Sequence, residues 1–368
     1  MQTTIPLPDA LPLPAPVWLF MLLLYVTFLI HLIFMNALFG GTFIAGVSYI
    51  RGKHDQRHLI LAKKIYSFLP VAIAFTVNFG IAPLLFVQVL YGNFMYSSSI
   101  LMAVAWISVI PLVILGYYGT YTLRFKWDKF MKFRTFLIIC IPLVFAAVAF
   151  MFVNNMTLML KPETWLRHYF VNPSVGRLNW SDAAVFPRYF HMFLGALAVA
   201  GLWVMIIGKR KKTGDEEWST WAAGYGADIF LYSTLVNSII GIWFLLAVPE
   251  NVMTIFLGGN TTATSVFAAS VIVTTAAIIA AYYIKKGRIG GTAVYYMSGM
   301  VMLVLFLMIL MRQYLREAYL EPFFQLEQLA VRPQWGAFAL FAVLFLFVLI
   351  PTTAWLIRTV MKANRPAA

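Results

Sequence analysis

Charge is what this sequence has least of. Asp, Glu, Lys and Arg make up 11% of its 368 residues, where a soluble domain carries about a quarter. No polar stretch is long enough to fold as a separate water-soluble domain, so the composition places one domain in lipid. Cysteine is nearly absent. The single Cys140 lies in an apolar run, which excludes internal disulfides, cysteine-rich metal sites and a CxxCH attachment for covalent haem. The GxGxxG, Walker A, HExxH and GxSxG patterns are missing, so nucleotide-binding, zincin and serine-hydrolase readings have no support. No repeat of fixed period is present, and no biased tract beyond a Pro-rich start.

What the chain has is apolar length. Hydrophobic residues make up 62% of it, with 32 Phe, 18 Tyr and 11 Trp to pack within bundles and at membrane interfaces. Crossing hydrocarbon takes roughly 20 apolar residues, and nine segments meet that length: 17–50, 65–91, 98–121, 135–158, 188–208, 219–248, 263–284, 292–311 and 335–357. The expected fold is therefore all-α, a polytopic membrane helix bundle of about nine transmembrane helices. Residues 1–16 form a short segment before the bundle, 17–358 the bundle itself and 359–368 a tail. The first apolar run has no basic leader and is too long for a signal peptide. Residues 92–97 predict a tight hairpin between the second and third helices, and 159–187, 249–262 and 312–334 are the strongest breaks.

The formal charge of +14 reports orientation. One set of loops holds Arg51, Lys53, Arg57, Lys63 and Lys64, then Arg124, Lys126, Lys129, Lys132 and Arg134. It also holds Lys209, Arg210, Lys211, Lys212, Lys285, Lys286, Arg288, Arg358, Lys362 and Arg365. Those 20 basic residues face five acidic ones, +15. The opposite loops hold Lys161, Arg167, Arg177, Arg188, Arg312, Arg316 and Arg332 against seven acids, a net of zero. The positive-inside rule then puts the N-terminus outside and the C-terminus inside, as expected of a multi-pass protein of the inner (cytoplasmic) membrane. A nucleic-acid partner is excluded, because the positive charge is a topology signal.

Polar residues within apolar runs need partners and mark candidate sites. His54 and His58 in a basic loop, and His168 in an opposite loop, read as surface groups. His31 and His191 do not. His31 lies 19 residues before Ile50, or about 28 Å from the inner end, and His191 follows Phe186-Pro187-Arg188 at the outer start of the fifth helix. An imidazole at that depth is a usual axial ligand of haem b, and equally a plain interhelical hydrogen-bond partner; both readings stay open, as does one haem shared by both histidines. Gly195, one turn from His191, would leave a flat gap for a macrocycle. Asp228, the one carboxylate within a span, is either an interfacial polar group or the mouth of a proton path. Asn78, Gln88, Asn154, Asn155 and Asn237 read mostly as interhelical hydrogen-bond partners. Arg312 and Arg316 cap the eighth helix, as propionate partners or headgroup anchors.

These features resemble subunit I of the cytochrome bd quinol oxidases. Leu29-Ile30-His31-Leu32-Ile33 matches that family's first-helix haem ligand, and Phe186-Pro187-Arg188-Tyr189-Phe190-His191-Met192 is similar to the start of its fifth helix. Met311-Arg312-Gln313-Tyr314-Leu315 echoes its Gly-Arg-Gln-Pro-Trp stretch. The resemblance implies nine helices, one or two haem b groups on His31 and His191, and Arg188 and Arg312 beside their propionates. The departures are equally specific. The family's third-helix Glu is missing from 98–121, Ile309 stands where a Glu precedes the eighth-helix Arg, and 263–284 contains no Met. Met253 and Met297 are neighbouring candidates that do not align. The loop at 249–262 is far shorter than the family's quinol loop. The resemblance therefore implies an electron-transfer subunit that takes electrons from quinol to an outer c-type cytochrome without reducing oxygen. A haem-free structural anchor of a respiratory complex and a transporter are the alternatives.

Overall fold

Residues 17–51 open on Pro16, which suits the start of a helix because it has no N–H to satisfy. They form α1, Val17–Arg51. The computed structural model describes residues 12–127, 131–171, 178–209, 216–287 and 292–363. Helix α2 is Gln56–Met102, α3 Val104–Ile107, α4 Val109–Phe125, α5 Met131–Leu158 and α6 Trp165–Val171. Then come α7 Val185–Lys209, α8 Glu216–Ala247, α9 Glu250–Thr254, α10 Thr261–Lys285, α11 Ala293–Leu320 and α12 Trp335–Ala363. Among the described residues, nine helices are long and apolar enough to cross a membrane, α3 and α4 together making the third. This is the all-α multi-pass bundle that the composition predicts. Of the basic residues counted above, Lys129, Arg177, Arg210, Lys211, Lys212, Arg288 and Arg365 lie outside the described residues, as do 1–11 and 364–368.

Successive spans run between two ends, here the basic end (Arg51, Lys126, Lys209, Lys285) and the neutral end. Helix α1 is central, packing on α2, α7, α5 and α11. The closest pairing is α7 with α8, and glycine explains it. A Cβ on Gly226 would sit 2.6 Å from the Gly201 carbonyl oxygen, and one on Gly208 would sit 2.7 Å from the Ala223 nitrogen. A Cβ on Gly40 of α1 would collide with the Ala196 carbonyl oxygen of α7. In lipid, where no water is released by burying apolar surface, such backbone approach is a main source of helix association.

Three boundaries differ from expectation. The turn predicted at 92–97 falls instead at Ala103, whose φ is 48°. The helix does break at Tyr91 (φ −132°, ψ 35°), but the chain then continues helically. Phe94, Met95, Ser98 and Met102 are buried there, and Ser98 and Ser99 bond Asn155 of α5, both at 3.1 Å. At the other ends, α2 begins nine residues early and α11 ends nine residues late relative to the apolar runs. Lys63 and Lys64 lie over Trp127 and Trp218 at 5.8 and 4.9 Å, and Asp55 caps α2 by accepting from the Arg57 N–H at 2.9 Å. The Arg57 guanidinium, also bonded to Asp55, holds that carboxyl below its usual range.

Two surface assignments are corrected. His58 is buried, wedged edge-on against Trp221 and Tyr225 at 4.7 and 4.9 Å, because the start of α2 faces α8. His168 is buried as well; only His54 of the three is exposed. Asp228 pairs with Lys285 across α8 and α10, so it is an interhelical ion pair near the basic end. Asn155 does bridge helices, and Asn154 accepts from the Asn179 N–H at 2.8 Å, whereas Asn78 bonds its own helix.

Gly40→Val and Gly226→Val are expected to lower the midpoint of thermal unfolding in detergent by several degrees, or to abolish a monodisperse preparation. A Cβ added at Gly224 would have nothing within 4 Å, so Gly224→Ala, which favours the helix by about 0.5–1 kcal/mol, should leave the midpoint unchanged or raise it slightly.

Candidate functional site

The Gly40–Ala196 contact fixes the heights of the two intramembrane histidines. Helices α1 and α7 run in the same direction, His31 nine residues and His191 five residues before that contact. At 1.5 Å per residue both rings lie on its neutral side, about 6 Å apart in height.

Each ring is seated against the backbone and a glycine of a facing helix. The His31 Nδ1 lies 2.9 Å from the Thr76 carbonyl of α2, and one turn on, a Cβ at Gly80 would be 2.8 Å from the ring. A carbonyl only accepts, so Nδ1 carries the proton and Nε2 keeps its lone pair. His191 faces the Asn237 backbone of α8, and a Cβ at Gly241, again one turn on, would be 3.3 Å from its ring. Its Nδ1 is buried and makes no hydrogen bond of good geometry among the described residues. Phe28 stacks near His31 at 6.1 Å and carries Arg312 over its face at 5.1 Å. Phe244 lies 6.4 Å from His191 and carries Arg188 at 5.2 Å. Two groups of His, Phe, Arg, helix carbonyl and Gly therefore stand side by side.

The arginines join the two groups. Arg188, Arg312 and Arg316 line one small cavity of about 10 Å³ with Met156, Met159 and Leu315. Arg188 donates to the Thr157 hydroxyl at 3.2 Å, and Arg316 donates to Gln313 at 2.8 Å while lying over Tyr91 at 4.8 Å. Among the described residues, no carboxylate lines this cavity; Asp182, the acid nearest Arg188 in charge interaction, is taken by Lys161 at 2.7 Å. Three arginines around a space of about one oxygen atom are suited to a carboxylate or phosphate oxygen.

His31, His191, Arg188 and Arg312 are thus brought together. Arg312 and Arg316 are not helix caps: α11 continues to Leu320, because Gln313, Arg316 and Glu317 satisfy one another. Gly195 is not an open slot, since a Cβ there would make ordinary contact with Asn237 at 3.6 Å. The glycines that make room are Gly80 and Gly241, on the facing helices. Met297 is buried toward the basic end, and Met253 packs in the neutral-end cluster.

The chain shares its fold with a bd oxidase. A chain of the bd oxidase from Geobacillus thermodenitrificans superimposes with a TM-score of 0.70, covering 96% of this chain and 100% of that one. Identity over that match is 13%, so the likeness is one of fold. No family model and no curated protein matches the sequence. The resemblance read from short motifs thus holds for the bd oxidase architecture across nearly the whole chain.

Gly80→Ala should displace the His31 ring and break its bond to Thr76, a cost of about 1–3 kcal/mol for an unsatisfied buried group. Gly241→Ala, with more room, should cost less. Thermal melts of the two variants in one detergent give the order.

Proposed function

We propose that this chain is a membrane-integral electron-transfer subunit that binds haem b through His31 and His191. The observation that carries this reading is the Thr76 carbonyl on His31 Nδ1: a second group that fixes the tautomer and aims Nε2 is the arrangement of a ligating histidine. His191, with an unsatisfied Nδ1 and the same glycine-backed seat, supports a second ligand position. Arg188 and Arg312, each over the phenylalanine beside its histidine, would hold the propionates, with Arg316 completing the positive cavity. One or two haems fit this donor set. Bound haem supplies one-electron transfer; the chain's own residues orient it, compensate its carboxylates and exclude water from the iron.

The electrons come from quinol in the bilayer and leave to a partner on the outer side, for which a c-type cytochrome has suitable chemistry. Reduction of oxygen is outside this proposal, because 98–121 has no acid to deliver protons and Ile309 replaces a second one. The charge difference between loops supports an outer N-terminus, an inner C-terminus and residence in the inner membrane.

A pyridine haemochrome assay on purified protein should give one or two haem b per polypeptide, and His191→Ala and His31→Ala should each reduce that ratio. A folded preparation free of haem would overturn the proposal in favour of a structural anchor. For orientation, single cysteines in a Cys140→Ser background are expected to react from opposite sides. Glu321→Cys should label with an impermeant maleimide on intact cells, and Lys53→Cys only after the membrane is opened.

A further inference from the structure

At the neutral end, the first turns of α1, the last turn of α11 and the 3-10 turn Leu326–Gln328 frame a groove of about 460 Å³. That is the size range of small-ligand sites. Trp18, Met21 and Leu22 form its apolar wall, while Tyr25, Glu317 and Glu327 supply polar atoms. Trp18 and Leu22 are 62% and 49% exposed, so the groove is reached from the side of the bundle, where lipid-soluble molecules travel. Among the described residues, no cation lines it. An anionic headgroup would meet two carboxylates, whereas a neutral ring bearing hydroxyl donors would find an apolar wall and acceptors.

Glu317 is also held in place by buried neighbours. The Gln313 amide donates to Glu317 at 2.7 Å and lies 2.6 Å from the Tyr91 hydroxyl. The same Gln313 accepts from Arg316 at 2.8 Å, and Gln313 and Arg316 are only 5% and 6% exposed. A continuous polar chain thus leads from the groove to the cavity lined by Arg188 and Arg312. A groove for lipid acyl chains would need no such connection.

We infer that this groove binds the ring of a quinol, with Glu317 accepting a hydrogen bond from a ring hydroxyl. The choice of a quinol rests on the redox reading above; the shape, polarity and connection of the groove do not.

The test is photolabelling of the full purified chain with a short-tailed azidoquinone, followed by peptide mapping, with haem content measured on the same samples. Label is expected within residues 17–25 and 317–327, which line the groove, and unlabelled short-chain quinol should displace it. Glu317→Gln should weaken that displacement about tenfold, the size of one hydrogen bond to a charged group. Leu22→Trp, which fills the groove from an exposed position, should abolish labelling without changing the thermal midpoint. Glu250→Gln, elsewhere on the same end, should change neither. Label outside the groove, or label displaced by phosphatidylethanolamine and not by quinol, overturns the inference. Haem without groove labelling would refute the groove alone, whereas displaceable labelling without haem would uphold the groove and refute the redox reading.

Discussion

The approach of α1, α7 and α8 at glycine is the constraint on which the rest depends. At Gly40, Gly201, Gly208 and Gly226 the backbones are too close for any side chain, and this fixes both spacing and axial register. A bundle in lipid gains little from hiding apolar side chains, so its specificity comes from shape and from polar groups that must find partners. The glycine contacts supply the shape. They set His31 and His191 on neighbouring, co-directional helices, with a height difference fixed by sequence spacing.

Polar satisfaction then decides the local structure at the neutral end. Tyr91 interrupts α2, yet its hydroxyl meets Gln313 of α11. Ser98, Ser99 and Asn155 close the same region between α2 and α5, each such interhelical bond contributing about 0.6 kcal/mol in lipid. Lys161 neutralises Asp182, which leaves Arg188 without a paired carboxylate among the described residues. The concentration of three arginines around one cavity is therefore a product of how nearby acids are already used. Two loci with the same parts, joined by those arginines, follow from α1 and α7 each placing a histidine against a facing carbonyl and glycine.

The nine spans and the two histidines were legible because apolar length and a polar residue within it are one-dimensional signals. The hairpin was not. Gly92 does mark the end of regular helix at Tyr91, but whether a chain turns after a break depends on what the next residues pack against, here Asn155 and the Phe94 cluster. The ends of α2 and α11 were misread because lysines over tryptophans and a Gln–Glu–Arg chain let a helix continue past its apolar run. His58 looked like a surface group for want of Trp221 and Tyr225, which are more than 160 residues away in sequence. Gly80 and Gly241 were invisible for a related reason: nothing local says which histidine a glycine faces. A search for glycines spaced by a turn from Thr76 and Asn237 would have had many equals.

The pairing of Leu13 with Val331 has its own consequence. Leu13 and Pro14 exchange backbone hydrogen bonds with Ala330, Arg332 and Gln334, at 2.7 to 2.8 Å, immediately before α12 begins. Helix α12 makes no extensive interface with another helix among the described residues, and its side chains along 335–341 are exposed. The start of the last span is thus moored by main-chain bonds indifferent to side-chain identity. Its foot is anchored beside the first turn of α1, so the first and last spans are tied together at the neutral end whatever side chains they carry.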